Sequence, residues 1–278
     1  MVPGGQHIIK RVGWNSEYRF WLLGDIHLGS RGCLVKMLKK VLVRIKEDPK
    51  ALWFGMGDFW DLVTWNDPRF DPSNIAKEHR EAHFTGLVKG MLDEAYKLFE
   101  PIKDKCLGLL HGNHEYKYGL HNDETMMQDL AEMMEVPFLG YSAFKDVVFG
   151  DKIKLRFYLH HGAGNAQTKG GKLNKLLRFV ASRDADVIAM GHVHAILEDL
   201  TLSLGANHDC TDIEQKMKLG LITGSYLAGY RADVDGSSSY VERAGMNPTA
   251  LGSPCMIYVP GTQSVSVEKP AGQLGRPV

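Results

Sequence analysis

The chain of 278 residues is long enough to bury a large core without disulfides, as one large domain or two small ones. Its 33 basic and 33 acidic side chains cancel, which excludes bulk attraction to nucleic acid or anionic lipid but still allows a local basic patch. No apolar run approaches the roughly 18 residues of a membrane span, and the four cysteines are widely spaced. We therefore expect a cytoplasmic protein without a membrane partner.

Short apolar runs and longer amphipathic segments alternate through the first half of the chain. Buried strands are predicted at Tyr18–Leu23, Ala51–Met56 and Cys106–Leu110. Apolar residues at intervals of three and four predict a helix from Leu34 to the Asp48-Pro49 stop. The same spacing predicts helices at Phe84–Phe99 and, more briefly, at 124–135.

The last third of the chain reads mostly as strand. Strands are predicted at 144–149, 152–159, Val187–Met190, 195–204, 218–223, Cys255–Val259 and Ser264–Glu268. A helix face is formed by Leu173, Leu176, Leu177 and Val180. The order predicts an α/β layered fold with a mostly β C-terminal sheet. We interpret 1–278 as a single domain with its core at about 18–268, a frayed tail at 269–278, and polar loops at 62–76 and 231–250.

Five predicted strands each end in a glycine-flanked cluster of side chains that can bind metal. The clusters are GDIH at 24–27, GD at 57–58, GNHE at 112–115, HHG at 160–162 and GHVH at 191–194. Ligands bind outside the carboxyl ends of the strands in open α/β sheets, so these clusters can converge. Carboxylate, imidazole and amide donors without thiolate suit Mn, Fe, Zn, Co or Ni, and their number fits two ions about 3.5–4 Å apart. One such cluster alone is typical of an ordinary turn, whereas five in this order indicate a shared site.

The ordered set GD-x-H, GD, GNHE, H-G and GHxH resembles the calcineurin-like metallophosphoesterase superfamily, over about residues 18–194. The resemblance implies an α/β fold in which a two-sheet β-sandwich is flanked by helices in four layers. It also implies two metal sites that share one carboxylate. Their ligands would be Asp25, His27 and His194 for one ion, Asn113, His161 and His192 for the other, and Asp58 as the bridge.

The resemblance also suggests roles for residues beside these ligands. It favours His161 over His160 as the ligand, because the family ligand directly precedes glycine. It implies that His114 assists the leaving oxygen and that Asp61 orients His114. Leu62 stands where the protein serine/threonine phosphatases carry Arg, which argues against protein phosphatase activity. The short segment around GNHE and the chain length resemble bacterial and phage members of the superfamily, which include phosphodiesterases, nucleases and nucleotide-processing enzymes.

We therefore expect hydrolysis of phosphodiester bonds by a metal-activated hydroxide, on nucleic acid or nucleotides, with two divalent ions. Mn is the favoured metal, and Zn, Fe, Ni and Co are the alternatives. Other possibilities are a phosphomonoesterase or nucleotide pyrophosphatase acting on small metabolites, and a non-catalytic binding scaffold. The sequence leaves the oligomeric state open.

Two groups of side chains are candidates for contacts with DNA or RNA. The first is a basic stripe formed by Lys169, Lys172, Lys175 and Arg178, for which a solvated helix face is the competing interpretation. The second is the pair Trp60 and Trp65, which could stack on a base or pack under the loop.

Overall fold

The structure is a computed structural model that describes residues 1–62, 75–76, 84–122, 125–230 and 239–270. The strands are β1 Val2–Ile9, β2 Tyr18–Leu23, β3 Ala51–Met56, β4 Cys106–Leu110, β5 Ser142–Phe149, β6 Ile153–His160, β7 Val187–Met190, β8 Ile196–Ala206, β9 Ile213–Thr223, β10 Cys255–Val259 and β11 Ser264–Glu268. The helices are α1 Val35–Glu47, α2 Phe84–Phe99, α3 Asn113–Asn122, α4 Met126–Met134, α5 Lys169–Ser182 and α6 Tyr240–Arg243. A 3-10 helix at Glu100–Lys105 joins α2 to β4.

The strands form two sheets that pack face to face. One sheet has the order β1-β5-β6-β7-β9-β8 and the other the order β11-β10-β2-β3-β4. Alternate side chains point into the space between them, among them Phe20 and Phe54 from one sheet and Phe157 from the other. These buried aromatic contacts hold the sandwich together.

Helices cover the outer faces of both sheets. Leu38, Leu42 and Ile45 of α1 are buried in one outer cluster with side chains of α2 and α4 against the β2–β4 side. Leu176 and Val180 of α5 pack against the other sheet, in a cluster that includes strand residues of β6 and β7. The layers are therefore helix, sheet, sheet and helix, and the predicted α/β two-sheet sandwich flanked by helices is confirmed.

Parallel pairing brings the predicted clusters to one edge of the sandwich. Strands β2, β3 and β4 run parallel in one sheet, and β6 and β7 run parallel in the other. Each of these five strands is followed directly by one of the metal-competent clusters. All five clusters consequently leave their sheets at carboxyl ends, which is where open α/β sheets bind ligands.

Three sequence-based expectations need correction. The last four strands do not form one C-terminal sheet, because β8 and β9 extend the six-stranded sheet while β10 pairs with β2. Strand β1 was not predicted, since its Pro3 and two glycines are unfavourable in strands, and it lies beside β5 at the edge of the six-stranded sheet as described. Helix α3 was not predicted either, because its sequence NHEYKYGLHN has little apolar periodicity.

Other predicted elements match closely. Helices α1 and α2 and strands β7, β10 and β11 lie where their apolar spacing places them. The helix expected at 124–135 is α4, which begins after Thr125. Residues 63–74 of the predicted loop at 62–76, with Trp65, residues 231–238 of the predicted loop at 231–250, and the predicted tail beyond residue 270 lie outside the described residues. The rest of the 231–250 segment contains the short helix α6, which was not predicted. No helix in the described part of the chain is long and apolar enough to cross a membrane.

Candidate metal centre

The backbone is held in an unusual conformation at three of the five clusters, those after β2, β3 and β7. Asp25, His27, Asp58, His192 and His194 all have positive φ, at 47°, 56°, 52°, 69° and 45°. This left-handed region costs a non-glycine residue roughly 1–2 kcal/mol. Such conformations persist only where the surrounding structure imposes them, and they concentrate at functional sites.

Hydrogen bonds between the clusters impose this conformation. The N–H of Asp25 donates to the Gly57 carbonyl at 2.9 Å, and the N–H of His27 donates to the Asp58 carbonyl at 3.1 Å. The N–H of His192 donates to Oδ2 of Asp25 at 2.9 Å. The second of these bonds ties the loop after β2 to the loop after β3, and the third ties it to the loop after β7, so the five strand ends form one structural unit.

The first group of candidate ligands, termed the β2/β7 group, consists of Asp25, His27 and His194. Nε2 of His194 lies 3.2 Å from Oδ1 of Asp25 and 3.2 Å from Nε2 of His27. Oδ1 of Asp25 is buried and accepts no hydrogen bond from the described residues. A buried carboxylate oxygen without a donor is costly, and a shared cation would satisfy it.

The second group, termed the β3/β6 group, consists of Asp58, Asn113, His161 and His192. Nε2 of His161 lies 3.2 Å from Oδ2 of Asp58 and 3.2 Å from Oδ1 of Asn113. Nδ1 of His161 lies 2.8 Å from the Met56 carbonyl, to which it donates. That bond fixes the ring so that Nε2 faces the cluster, as the outer hydrogen bond of a metal-binding histidine does.

The amide of Asn113 tests whether this group suits a cation. As described, its oxygen faces Nε2 of His161 at 3.2 Å. In the reversed orientation its nitrogen would instead donate to Nδ1 of His192 at 2.6 Å and to Oδ2 of Asp58 at 3.3 Å. Without a cation the reversed amide satisfies these neighbours, whereas with a cation bound between them the amide oxygen could serve as a ligand. Carboxylate, imidazole and amide groups together form a donor set that fits divalent ions.

In the β3/β6 group, the negative charge of Asp58 and the positive charge of His161 stabilise each other. Burial raises the pKa of Asp58, but the positive charges of nearby histidines outweigh it and hold that pKa well below its usual range. Burial lowers the pKa of His161, but the Asp58 carboxylate outweighs it and raises the pKa to about 10. The metal-free chain therefore keeps a proton on His161 at neutral pH, and a cation bound there would replace that proton.

The two predicted catalytic side chains lie beside the β2/β7 group. Nδ1 of His114 is 3.3 Å from Oδ1 of Asp61, which is also 3.7 Å from Nδ1 of His27. Burial raises the pKa of Asp61, but its hydrogen bond and charge interaction with His27 and the charge of His114 lower it overall. One carboxylate thus faces two histidines. The backbone N–H of His114 donates to Oδ1 of Asp58 at 2.9 Å, which links this histidine to the other group.

Glu115 has a structural role that the sequence interpretation missed. Its buried carboxylate accepts the backbone N–H groups of Phe59 at 2.6 Å, Gly112 at 2.8 Å, Asp58 at 3.1 Å and Trp60 at 3.2 Å. It therefore joins the loop after β3 to the loop after β4. The fourth letter of GNHE was a visible signal, but the sequence gives no indication of which distant N–H groups it would meet.

His160 is separated from the cluster although it adjoins His161. Its Nδ1 accepts the N–H of Gly162 at 2.7 Å, and its ring packs against Phe179 with centroids 4.7 Å apart. Burial lowers the pKa of His160 to about 4, so the ring is neutral. The structure therefore places His161 in the cluster and His160 in the packing beneath α5.

Two expectations about nucleic-acid contacts are not supported by the geometry. Trp60 is buried and donates from its indole nitrogen to the Met91 carbonyl at 3.1 Å, so it packs in the core and offers no face to a base. The basic stripe does not share one surface, because Lys172 is buried while Lys169 and Arg178 are exposed. The remaining member, Lys175, donates to the Ala163 carbonyl at 3.1 Å.

A cavity of about 570 Å³ opens onto the candidate ligands. Its floor includes Asp58, His114 and His194. Its other walls come from loop segments at 164–167 and 227–230, and from residues between 239 and 251. This volume is typical of a small-molecule site.

Comparison with known proteins gives little further information. No family model matches the chain, and no curated protein matches it. Solved structures that resemble it include a single mutant of Vps29 from Entamoeba histolytica, with 16% identity and a TM-score of 0.37, covering 90% of this chain and 97% of that one. Wild-type Vps29 complexed with Zn²⁺ from the same organism has 14% identity and a TM-score of 0.36, with the same coverage of both chains. At these scores the likeness carries no argument about function.

Proposed function

We propose that this protein is a metal-dependent phosphoesterase that uses two divalent ions at the candidate centre. The observation that carries the proposal is the convergence of two carboxylates, one amide and four histidine rings from five strand ends, where Oδ1 of Asp25 is buried without a hydrogen-bond donor among the described residues. Five of the residues involved are also held at positive φ. A structural core has no need of such an arrangement, whereas a metal site does.

The candidate ligands divide between the two groups. Asp25, His27 and His194 would hold one ion, and Asn113, His161 and His192 the other. Asp58 would serve both, because its carboxylate lies close to His27 and to His161. Bound divalent ions supply Lewis acidity, which polarises phosphoryl oxygens and lowers the pKa of water.

The chain's own contribution to the chemistry centres on His114. The ionised Asp61 carboxylate faces Nδ1–H of His114 at 3.3 Å and favours the imidazolium form, whose Nε2–H would give its proton to the departing oxygen. Asp61 thereby fixes the tautomer and raises the basicity of the ring. Because His114 lines the cavity, it can reach a substrate held against the ligands.

The cavity favours a substrate of nucleotide size. A volume of about 570 Å³ holds a mononucleotide or a similar small ester but not a duplex. A small phosphodiester, such as a nucleotide ester, is accordingly the first candidate. A phosphomonoester or pyrophosphate of a small metabolite is the second candidate and is favoured by the same small cavity volume.

A metal-reconstituted substrate panel tests the proposal. Chelator-treated protein would be reloaded with Mn²⁺, Zn²⁺ or Ni²⁺ and assayed on bis-p-nitrophenyl phosphate, p-nitrophenyl phosphate, cyclic nucleotides, and single- and double-stranded oligonucleotides. We expect binding of two ions per chain and hydrolysis of small diesters, fastest with Mn²⁺. Two bound ions with no turnover of any ester would favour the non-catalytic scaffold, and no ion binding would overturn the proposal.

A further inference from the structure

Lys172 is a largely buried lysine whose ammonium group has no hydrogen-bond partner among the described residues. The exposure of the residue is 8%. Other lysines with buried stems are satisfied: Nζ of Lys145 donates to the Gly4 carbonyl at 2.7 Å, and Nζ of Lys218 donates to the Arg183 carbonyl at 2.7 Å. The ammonium group of Lys172 must therefore be satisfied from the cavity that Lys172 lines, by solvent or by a bound anion.

Lys172 lies where a group bound in the cavity could pair with its ammonium group. Lys172 lies near the start of α5 and lines the cavity beside the candidate metal centre. Among the described residues that line this cavity, it is the one Lys or Arg. The acidic residues described there, Asp58 and Asp61, are engaged with histidines of the centre.

The rest of the described wall is uncharged. Polar contacts are offered by Asn165, Gln167, Ser239 and Asn247, and apolar surface by residues that include Val193 and Leu227. None of these side chains can neutralise an ammonium group. Burial lowers the pKa of Lys172, and an anion beside it would oppose that effect.

We propose that Lys172 binds a second anionic group of the substrate, a phosphate or carboxylate that is not attacked, while the reacting phosphate lies at the candidate metal centre. The identity of the reacting group rests on the proposed function, whereas the anion contact rests on Lys172 alone. The substrate class is then a small phosphoester with two anionic groups. Lys172 acts as the specificity residue that separates these esters from singly charged relatives.

Equilibrium binding to chelator-treated protein tests this without turnover. Thymidine 3′,5′-bisphosphate would be compared with thymidine 5′-monophosphate, and 4-carboxyphenyl phosphate with phenyl phosphate. We expect the ligand with the extra anion to bind about tenfold more tightly in at least one pair, as a charged hydrogen bond provides. The pair with the larger ratio identifies phosphate or carboxylate as the preferred group.

Variants of Lys172 and of a control lysine test whether Lys172 causes the tighter binding of the ligand with the extra anion. Lys172→Met should remove it, Lys172→Arg should retain part of it, and Lys169→Met, an exposed lysine on the same helix, should leave it unchanged. Equal affinities within both pairs for the wild-type protein, or an unchanged preference in Lys172→Met, overturns the proposal.

Thermal unfolding gives an independent readout. Because no described residue pairs with the ammonium group of Lys172, Lys172→Met should raise the melting temperature of the ligand-free protein. A clear decrease would indicate a structural partner for the ammonium group and would overturn the proposal. Failure to hydrolyse any ester, with Lys172-dependent binding intact, would instead count against the proposed function alone.

Discussion

The two groups of candidate ligands differ in how firmly they are held. In the β3/β6 group, His161 is fully buried and its ring is fixed by the Met56 carbonyl. In the β2/β7 group, the side chain of His194 is 27% exposed, and no hydrogen bond within the described residues orients its Nδ1. Preorganised ligands lose less freedom on binding. We therefore expect the β3/β6 group to bind its ion more tightly and the β2/β7 group to exchange its ion more readily.

The shared carboxylate gives the largest expected effect. Asp58→Ala should reduce the affinity for both ions, whereas Asp25→Ala should spare the ion at the β3/β6 group. We expect at least about a 10²-fold loss of affinity where a ligand is removed. Titration of chelator-treated protein with Mn²⁺, followed by calorimetry, measures both sites. Equal losses from the two variants would contradict the division into two groups.

The second-largest expected effect is that of variants at His114 and Asp61, which separate a loss of catalysis from a loss of metal binding. His114→Gln should retain both ions and lose roughly 10²–10⁴ in turnover, the scale of a general acid. Asp61→Asn should lose less turnover but should also weaken the β2/β7 site, because Asp61 faces His27 as well as His114. Substrates with poor leaving groups are required, since p-nitrophenol departs without a proton. Full activity of His114→Gln on such substrates would refute the assignment.

The adjacent residues His160 and His161 allow a matched pair of variants that tests the β3/β6 group. His161→Ala should weaken that site by about 10²-fold and leave the β2/β7 site intact. His160→Ala removes the neighbouring ring that packs on Phe179, so metal affinity should be unchanged even if the melting temperature falls. Metal stoichiometry by elemental analysis distinguishes the two. A metal deficit in both variants would indicate general loss of structure.

Protonation of His161 makes the β3/β6 site dependent on pH. Its pKa of about 10 lies above that of an unfolded histidine, so metal must displace one proton at neutral pH. Apparent affinity should rise up to tenfold per pH unit until about pH 10. The metal-free protein shows the opposite trend: the stability from this group is fully present below about pH 6.5 and is lost as the pH rises through 10. Calorimetry in buffers of different ionisation enthalpy counts the released proton, and a count of zero would contradict the shift.

The smallest expected effect is that of Glu115, whose carboxylate accepts backbone N–H groups beside the β3/β6 group. Glu115→Gln should lower the free energy of unfolding by about 1–3 kcal/mol, because an amide cannot accept all four N–H groups equally well. It should weaken the β3/β6 site more than the β2/β7 site. Glu132→Gln, an exposed substitution on α4, is the control. Equal weakening of both sites would show that Glu115 supports the whole centre rather than one half.

Much of this architecture was predictable because each cluster follows a strand of clear apolar pattern. Once β2, β3, β4, β6 and β7 are assigned, their parallel carboxyl ends place the five clusters together. The sequence could not reveal that Lys172 turns inward, because helical spacing alone does not define which face meets a cavity. Nor could it reveal the four partners of Glu115, three of which lie more than fifty positions away. The sequence also could not show that β8 and β9 join one sheet while β10 and β11 join the other, since the residue pattern of a strand does not specify which strand it pairs with.

The left-handed residues of the centre have a consequence for protein engineering. Glycine would relieve the backbone strain at Asp25, Asp58 or His192, although Asp25 and Asp58 also accept buried N–H groups. A redesign guided by backbone angles alone would therefore select these positions early and delete the centre. The trade-off between stability and activity is thus concentrated in a few backbone angles of this chain.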